Sequence, residues 1–209
     1  ELVRREIFAP LGMHGCRVGT WRPGQAGPVA QPHRRVEGRN LAMAEDGDTV
    51  PDITSSAAGG IRCGVDDMLK WMRAWLDPSD PWLSPAQRRA AWTAHMPMPV
   101  GERMRQWDNS HFSAYGYGWR LSDVDGQWKV AHTGTLSGMY SSLVLLPDRR
   151  NGAVILINGE GEAARTTEYE VGAGINLSSK LVKGGGYPIK LPFIDVSEIG
   201  AGGGSIVEI

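Results

Sequence analysis

Residues 115–158, YGYGWRLSDVDGQWKVAHTGTLSGMYSSLVLLPDRRNGAVILIN, hold the signals from which the architecture of this chain can be read. Three apolar runs, Trp128 to Ala131, Met139 to Leu146 and Ala153 to Ile157, lie between turn signals. Asp125-Gly126 and Asn151-Gly152 are residue pairs that tolerate positive φ, so each is read as a turn joining two runs that want to pair. Consecutive hairpins predict an antiparallel sheet. The first run leads straight into His132-Thr133-Gly134, which puts a polar triplet at one strand edge.

Helical signals flank that sheet. Glu1 to Phe8 carries apolar residues at 2, 3, 7 and 8 with Pro10 close behind, the pattern of the last turns of an amphipathic helix. From Asp66 to Leu76, the residues Met68, Trp71, Met72, Trp75 and Leu76 fall at i, i+3, i+4, i+7 and i+8, a core-facing stripe. Asp66 is the expected N-cap and Pro78 the stop. Ser84-Pro85-Ala86-Gln87 spells a helix start with a capping box, and the helix is expected to run to about His95. Met96 to Ser110 is read as a loop, and Gly12 to Gly60 as an irregular, partly stranded excursion. His14, His33 and His111 are read as loop histidines. The fold class is therefore α+β, an antiparallel sheet flanked by helices with a Gly-rich appended tail.

Composition narrows the function. The chain has 209 residues and 41% hydrophobic content, enough to bury a core. Its formal net charge of -1, from 22 basic and 23 acidic residues, gives no reason to expect nucleic acid or an anionic membrane as a partner. No apolar run reaches the roughly 18 residues of a membrane span. Cys16 and Cys63 stand in unrelated contexts without metal-ligand spacing, so both are expected to be buried or idle thiols rather than a disulfide, and no metal site is expected.

Taken together, the HTG triplet, the YGYGW run before it, SGMYSSLVLLPD after it and the closing VILIN resemble the C-terminal part of the serine β-lactamase-related superfamily. That group includes class C β-lactamases, DD-peptidases, D-aminopeptidases and esterases. The resemblance runs from Glu1 to about Arg165 and implies an incomplete β-lactamase/transpeptidase-like fold and a parent acting on small-molecule amide or ester substrates. It also implies site roles. His132 and Thr133 would present donors to a substrate carboxylate or carbonyl, Gly134 would let substrate approach the backbone, and the Thr135 N–H would be one of two oxyanion donors. The family's other two motifs are missing from these residues: no serine has Lys three positions on, and none of the 5 tyrosines has Asn two positions on. The expectation is a hydrolase remnant that does not acylate by itself, or alternatively a non-catalytic carboxylate binder.

After Arg165 the character changes. GGGYPIKLPFIDVSEIGAGGGS resembles a segment of the hydantoinase/oxoprolinase family of ATP-using enzymes, so residues 166–209 are read as a fragment of that kind. By that resemblance Asp195, Gly200, Gly202, Gly203, Gly204 and Ser205 would lie near a nucleotide, with the glycines baring successive N–H groups to phosphate. The plainer reading is a Gly-rich turn between two short strands, Pro192 to Val196 and Ser205 to Ile209. Some forty residues cannot build the two-lobed ATPase, so no cofactor is expected. A third function, ATP-dependent cleavage of a cyclic amide, would follow only if the tail named the parent.

Overall fold

The computed structural model describes residues 1–19, 29–43, 56–136, 138–159 and 204–208. In chain order the elements are a helical turn at Arg4–Phe8, β1 (Arg17–Val18), β2 (His33–Val36), β3 (Arg39–Ala42), α1 (Ser56–Gly59), β4 (Ile61–Arg62), α2 (Val65–Leu76) and α3 (Pro85–Ala91). There follow β5 (Met96–Pro97), α4 (Glu102–Trp107), β6 (Ser113–Tyr115), β7 (Arg120–Val124), β8 (Gln127–Leu136), β9 (Met139–Leu146), a 3-10 turn at Pro147–Arg149, β10 (Asn151–Ile157) and β11 (Gly204–Glu208). Seven strands form one sheet in the order β11-β10-β9-β8-β7-β6-β5, and every pairing in it is antiparallel. The expected α+β architecture is present.

Two hairpins set the register around β8. Asp125 and Gly126 take φ of 47° and 75°, the left-handed pair that a two-residue connection needs, and they join Val124 to Gln127 as the sequence predicts. The predicted turn at Asn151-Gly152 is not one. Both residues open β10, and the chain reverses instead through Pro147–Arg149, with Arg150 at φ 51°. Gly152 serves a different need, because a Cβ there would stand 2.6 Å from the Val144 carbonyl oxygen and 2.8 Å from the Met72 sulfur. It lets α2 and β9 close on β10.

The helix stripe packs as its spacing requires. Met72, Trp75 and Leu76 of α2 join Leu121, Val130, Leu143, Leu145 and Val154 of the sheet in one buried cluster, with Met68 and Trp71 partly buried against it. Trp75 is the hub of an aromatic group, within 5.0 to 5.9 Å of the rings of Trp71, Trp82, Trp92 and Trp119. Such edge and offset contacts contribute roughly 0.5–1.5 kcal/mol each beyond their area.

The start of α2 departs from expectation. Gly64, not Asp66, is the N-cap, and the buried carboxylate of the next residue, Asp67, accepts from the Gly15 N–H at 2.7 Å and from Lys70 Nζ at 2.7 Å. A carboxylate that ties a distant loop to its own helix is not available as a cap. Ser84 does form the capping box with Gln87, but α3 ends at Ala91, four residues before His95. The segment read as a loop holds α4 and the short β5.

The cysteines depart furthest from expectation. Cys16 and Cys63 are joined by a disulfide, S–S 2.03 Å. Pairing of β1 with β4 sets Arg17 opposite Arg62 and thereby brings the flanking cysteines to a Cα separation of 4.3 Å. Across a sequence separation of 47, no local spacing announces that meeting.

Candidate active-site wall at the HTG strand

β8 is longer than its neighbour β7. Their ladder runs from Gln127 opposite Val124 to Ala131 opposite Arg120 and stops there, while β8 continues to Leu136 and pairs with β9 throughout. His132 to Leu136 therefore have a strand partner on one side only among the described residues.

The direction of each backbone group follows from the hairpins. Leu136 and Met139 close a two-residue connection, so they exchange both their hydrogen bonds. Alternation then turns Gly134 and His132 toward β9, and turns the N–H and C=O of Thr133 and Thr135 toward the side that β7 vacates. The other hairpin agrees: the Val124 and Gln127 closing pair makes Gln127, Lys129 and Ala131 bond toward β7, the same parity as Thr133 and Thr135. Two N–H groups on alternate residues thus line an open strand edge about 7 Å apart, so that each can meet a separate carbonyl or carboxylate oxygen of an extended ligand laid along it.

The side chains at this edge come from three strands. His132 is half-buried, and its Nε2 lies 2.7 Å from the hydroxyl of Tyr115, the last residue of β6. The two rings meet edge-on at 6.0 Å. Arg120, paired with both Tyr115 and Ala131, holds its guanidinium 5.9 Å from the Tyr115 ring centroid. Burial holds the His132 imidazole below the usual histidine range, and the Arg120 charge pushes the same way, against a backbone hydrogen bond at Thr133 that favours the charged ring. Thr133 is half-buried, whereas Gly134 and Thr135 are exposed. A Cβ on Gly134 would meet the Ser141 hydroxyl at 3.0 Å, so the close approach at this glycine is to the neighbouring strand.

Other predicted positions fall elsewhere. His111 points to Asp123, Nδ1 to Oδ2 3.0 Å, and is a satisfied loop histidine. His33 Nδ1 lies 3.0 Å from the Asn158 carbonyl, and the Asn158 side chain donates to the Gln31 carbonyl, latching the β2–β3 hairpin to the end of β10. Among the described residues no group of three His, Cys, Asp or Glu side chains suits a metal, and no helix is long and apolar enough to cross a membrane. A cleft of about 510 Å³ lined by Leu11, Lys70, Arg73, Asp77 and Trp82 shares no residue with the HTG strand.

In the tail, Gly204 and Ser205 lie in β11, opposite Ile155 and Val154. Their backbone is extended and laddered, whereas a phosphate nest turns consecutive N–H groups to one side. Asp195, Gly200, Gly202 and Gly203, together with the expected strand Pro192 to Val196, fall outside the described residues.

The sequence pattern did not mark Tyr115 and Arg120 as site residues. Both stand in the YGYGWR run that opens the sheet, but only the sheet register brings them to the triplet, 17 residues downstream in the case of Tyr115 and His132.

Comparison with known proteins agrees with this geometry. The beta-lactamase family model matches residues 1–174. This chain belongs to the beta-lactamase family. Beta-lactamase-type architecture is also what the fold resembles: the octameric penicillin-binding protein homologue from Pyrococcus abyssi superposes with a TM-score of 0.66 at 20% identity, over 94% of this chain and 40% of that one. A hydantoinase/oxoprolinase family model matches residues 154–209. An uncharacterized protein of Methanocaldococcus jannaschii is 54% identical over 41 residues, 20% of this chain and 6% of its own length. The chain thus spans less than half of either relative.

Proposed function

We propose that these residues form the third-motif wall of a serine hydrolase site, which takes the carboxylate or carbonyl of a small amide or ester along the open edge of β8 and does not turn it over unaided. The observation that carries this reading is the stretch from Thr133 to Thr135, whose outward N–H groups have no strand partner among the described residues while His132, Tyr115 and Arg120 border them. Serine acyl transfer also needs a nucleophile and its base. Among the described residues the hydroxyl hydrogen-bonded to the His132 ring is a phenol, that of Tyr115, and neither Ser-x-x-Lys nor Tyr-x-Asn occurs in these 209 residues. Loss of the nucleophile alone lowers turnover by about 10⁶ in a serine hydrolase.

The division at about Arg165 belongs to the same proposal: residues 1–165 as the hydrolase part and 166–209 as a hydantoinase/oxoprolinase-like piece that lends an edge strand. The overlap of the two family matches at residues 154–174 supports a junction in that stretch. An ATP-dependent reading of the tail has a sequence match in its favour but no cradle among the described residues.

Purified chain should show no hydrolysis of nitrocefin or p-nitrophenyl acetate above background, while benzylpenicillin should shift the Thr133 and Thr135 amide resonances. Turnover with a trappable acyl-enzyme would refute the first half of the proposal, and unmoved amides at saturating benzylpenicillin the second. A thermal shift with ATP and magnesium, but none with benzylpenicillin, would transfer the function to the tail.

A further inference from the structure

We propose that Tyr117, backed by the His95 ring, is a specificity-determining residue that takes the aromatic ring of a ligand lying on the β8 edge. β6 and β7 are joined through residues 116–119, where the Gly116 N–H donates to the Trp119 carbonyl at 2.8 Å and Gly118 has φ 75°. Tyr117 and Gly118 are thus the tip of this connection. β7 begins at Arg120, opposite Ala131, while β8 runs on past that point to Leu136. The tip therefore stands at the end of the sheet where the lane of β7 falls vacant, beside the Thr133 end of the open edge. A ligand laid along Thr133 and Thr135 has Tyr117 at that end.

Tyr117 is 65% exposed and yet held in place. Its ring lies on that of His95, with centroids 4.1 Å apart and planes inclined by 20°. The histidine ring is fixed in turn, since its Nε2 donates to the Ala90 carbonyl at 2.8 Å. Both backbones are tied down as well: the His95 N–H donates to the Tyr115 carbonyl and the Tyr117 N–H to the Ala91 carbonyl, each at 3.0 Å. Gly116 permits this seat on the end of α3, because a Cβ there would strike the Ala91 carbonyl oxygen. One face of the Tyr117 ring is covered by His95, and the other is open to water. An aromatic face already held in position gives up little freedom when a second ring stacks on it, and offset stacking adds to the area buried. A tyrosine that only closed the turn would need neither the stack nor the anchored histidine behind it.

This inference rests on the binding proposed for the β8 edge, and its test separates the two. N-phenylacetylglycine and N-acetylglycine share a carboxylate and an amide and differ by one phenyl ring. Each would be titrated into the 15N-labelled chain, with the Thr133 and Thr135 amide shifts as the readout. The phenylacetyl ligand should bind roughly three- to tenfold more tightly and show nuclear Overhauser contacts from its phenyl protons to the Tyr117 ring. Tyr117→Ala should bring the two affinities together by weakening the phenylacetyl ligand alone, and Tyr117→Phe should keep the preference. If neither ligand moves the two amides, the edge-binding reading is overturned and this inference with it. If both move them with equal affinity, or if the preference survives in Tyr117→Ala, this inference alone is overturned. Should Tyr117→Ala not fold, the contacts decide, because their absence in the unaltered chain also overturns it.

Discussion

β8 and β10 are both long strands of one sheet, yet one leaves half of an edge bare and the other is paired on both sides over five of its seven residues. β10 reads Asn-Gly-Ala-Val-Ile-Leu-Ile, is buried through Ile155, and pairs along five residues with β11 on the flank away from β9. β8 is buried from Lys129 to Ala131 and then becomes His-Thr-Gly-Thr, progressively open to water. An uncovered edge of Val and Ile would be a template for pairing with other chains, which proteins avoid by covering it. An uncovered edge of Thr and Gly can be left wet. Composition therefore decides which strand half can remain open, and the open half is where a ligand can add to the sheet.

The paired half of β8 depends on a buried ion pair, and removing it should have the largest effect. Lys129 Nζ lies 2.7 Å from Asp108 Oδ2, with the side chains only 6% and 1% exposed. Asp108 sits at the end of α4, its backbone carbonyl accepting from the Asp125 N–H, so the pair pins α4 to the β7–β8 hairpin. Asp108→Ala removes one carboxylate partner of a buried ammonium and breaks this pair, and should cost about 3–5 kcal/mol in denaturant unfolding. A loss below about 1 kcal/mol would mean that Lys129 is compensated without Asp108, and that this ion pair does not anchor β8.

Glycines in the two strands separate them at smaller cost. In Gly152→Ala the new methyl would be driven against the Val144 carbonyl and Met72, neither of which has room to retreat in the core, so about 1–3 kcal/mol should be lost. Gly134→Ala places its methyl beside the Ser141 hydroxyl, a single rotor, and should cost less when both variants are unfolded under the same conditions. Equal losses would show that the open half of β8 is as tightly packed as β10.

How much of this the sequence carried depends on how local each cause was. The Asp125-Gly126 hairpin, the stripe from Met68 to Leu76 and the Ser84 capping box were all legible, because each is decided within a few residues. Asn151-Gly152 carries the same local turn signal, but the needs of Met72 and Val144 placed that glycine inside a strand, and Arg150 accepted the left-handed conformation instead. Asp66 was a reasonable cap by type, and it lost the role to a register in which Asp67 serves Gly15. The Cys16–Cys63 bond and the Tyr115–His132 contact were invisible because pairings of other residues, Arg17 with Arg62 and Tyr115 with Arg120, bring them about. The triplet itself was legible, but which of its groups face outward was not, since that parity is set by the two hairpin closures.

The smallest expected effect belongs to the open half alone. With the His132 ring held below the ordinary histidine range by burial and by Arg120, the unfolded chain binds a proton at this residue more readily than the folded chain does. Stability from this residue is then undiminished above the unfolded value of about 6.5. As pH falls from there toward the lower folded value the unfolded state gains the proton first, and stability declines until both states are protonated. His132→Gln should remove that part of the acid loss and no other, visible as a flatter slope of unfolding free energy between about pH 6.5 and the onset of carboxylate titration. Because the ring is half exposed the change will be modest, but its sign is fixed. A steeper acid loss in His132→Gln would mean that the histidine is charged in the fold, despite its burial and the neighbouring Arg120 charge.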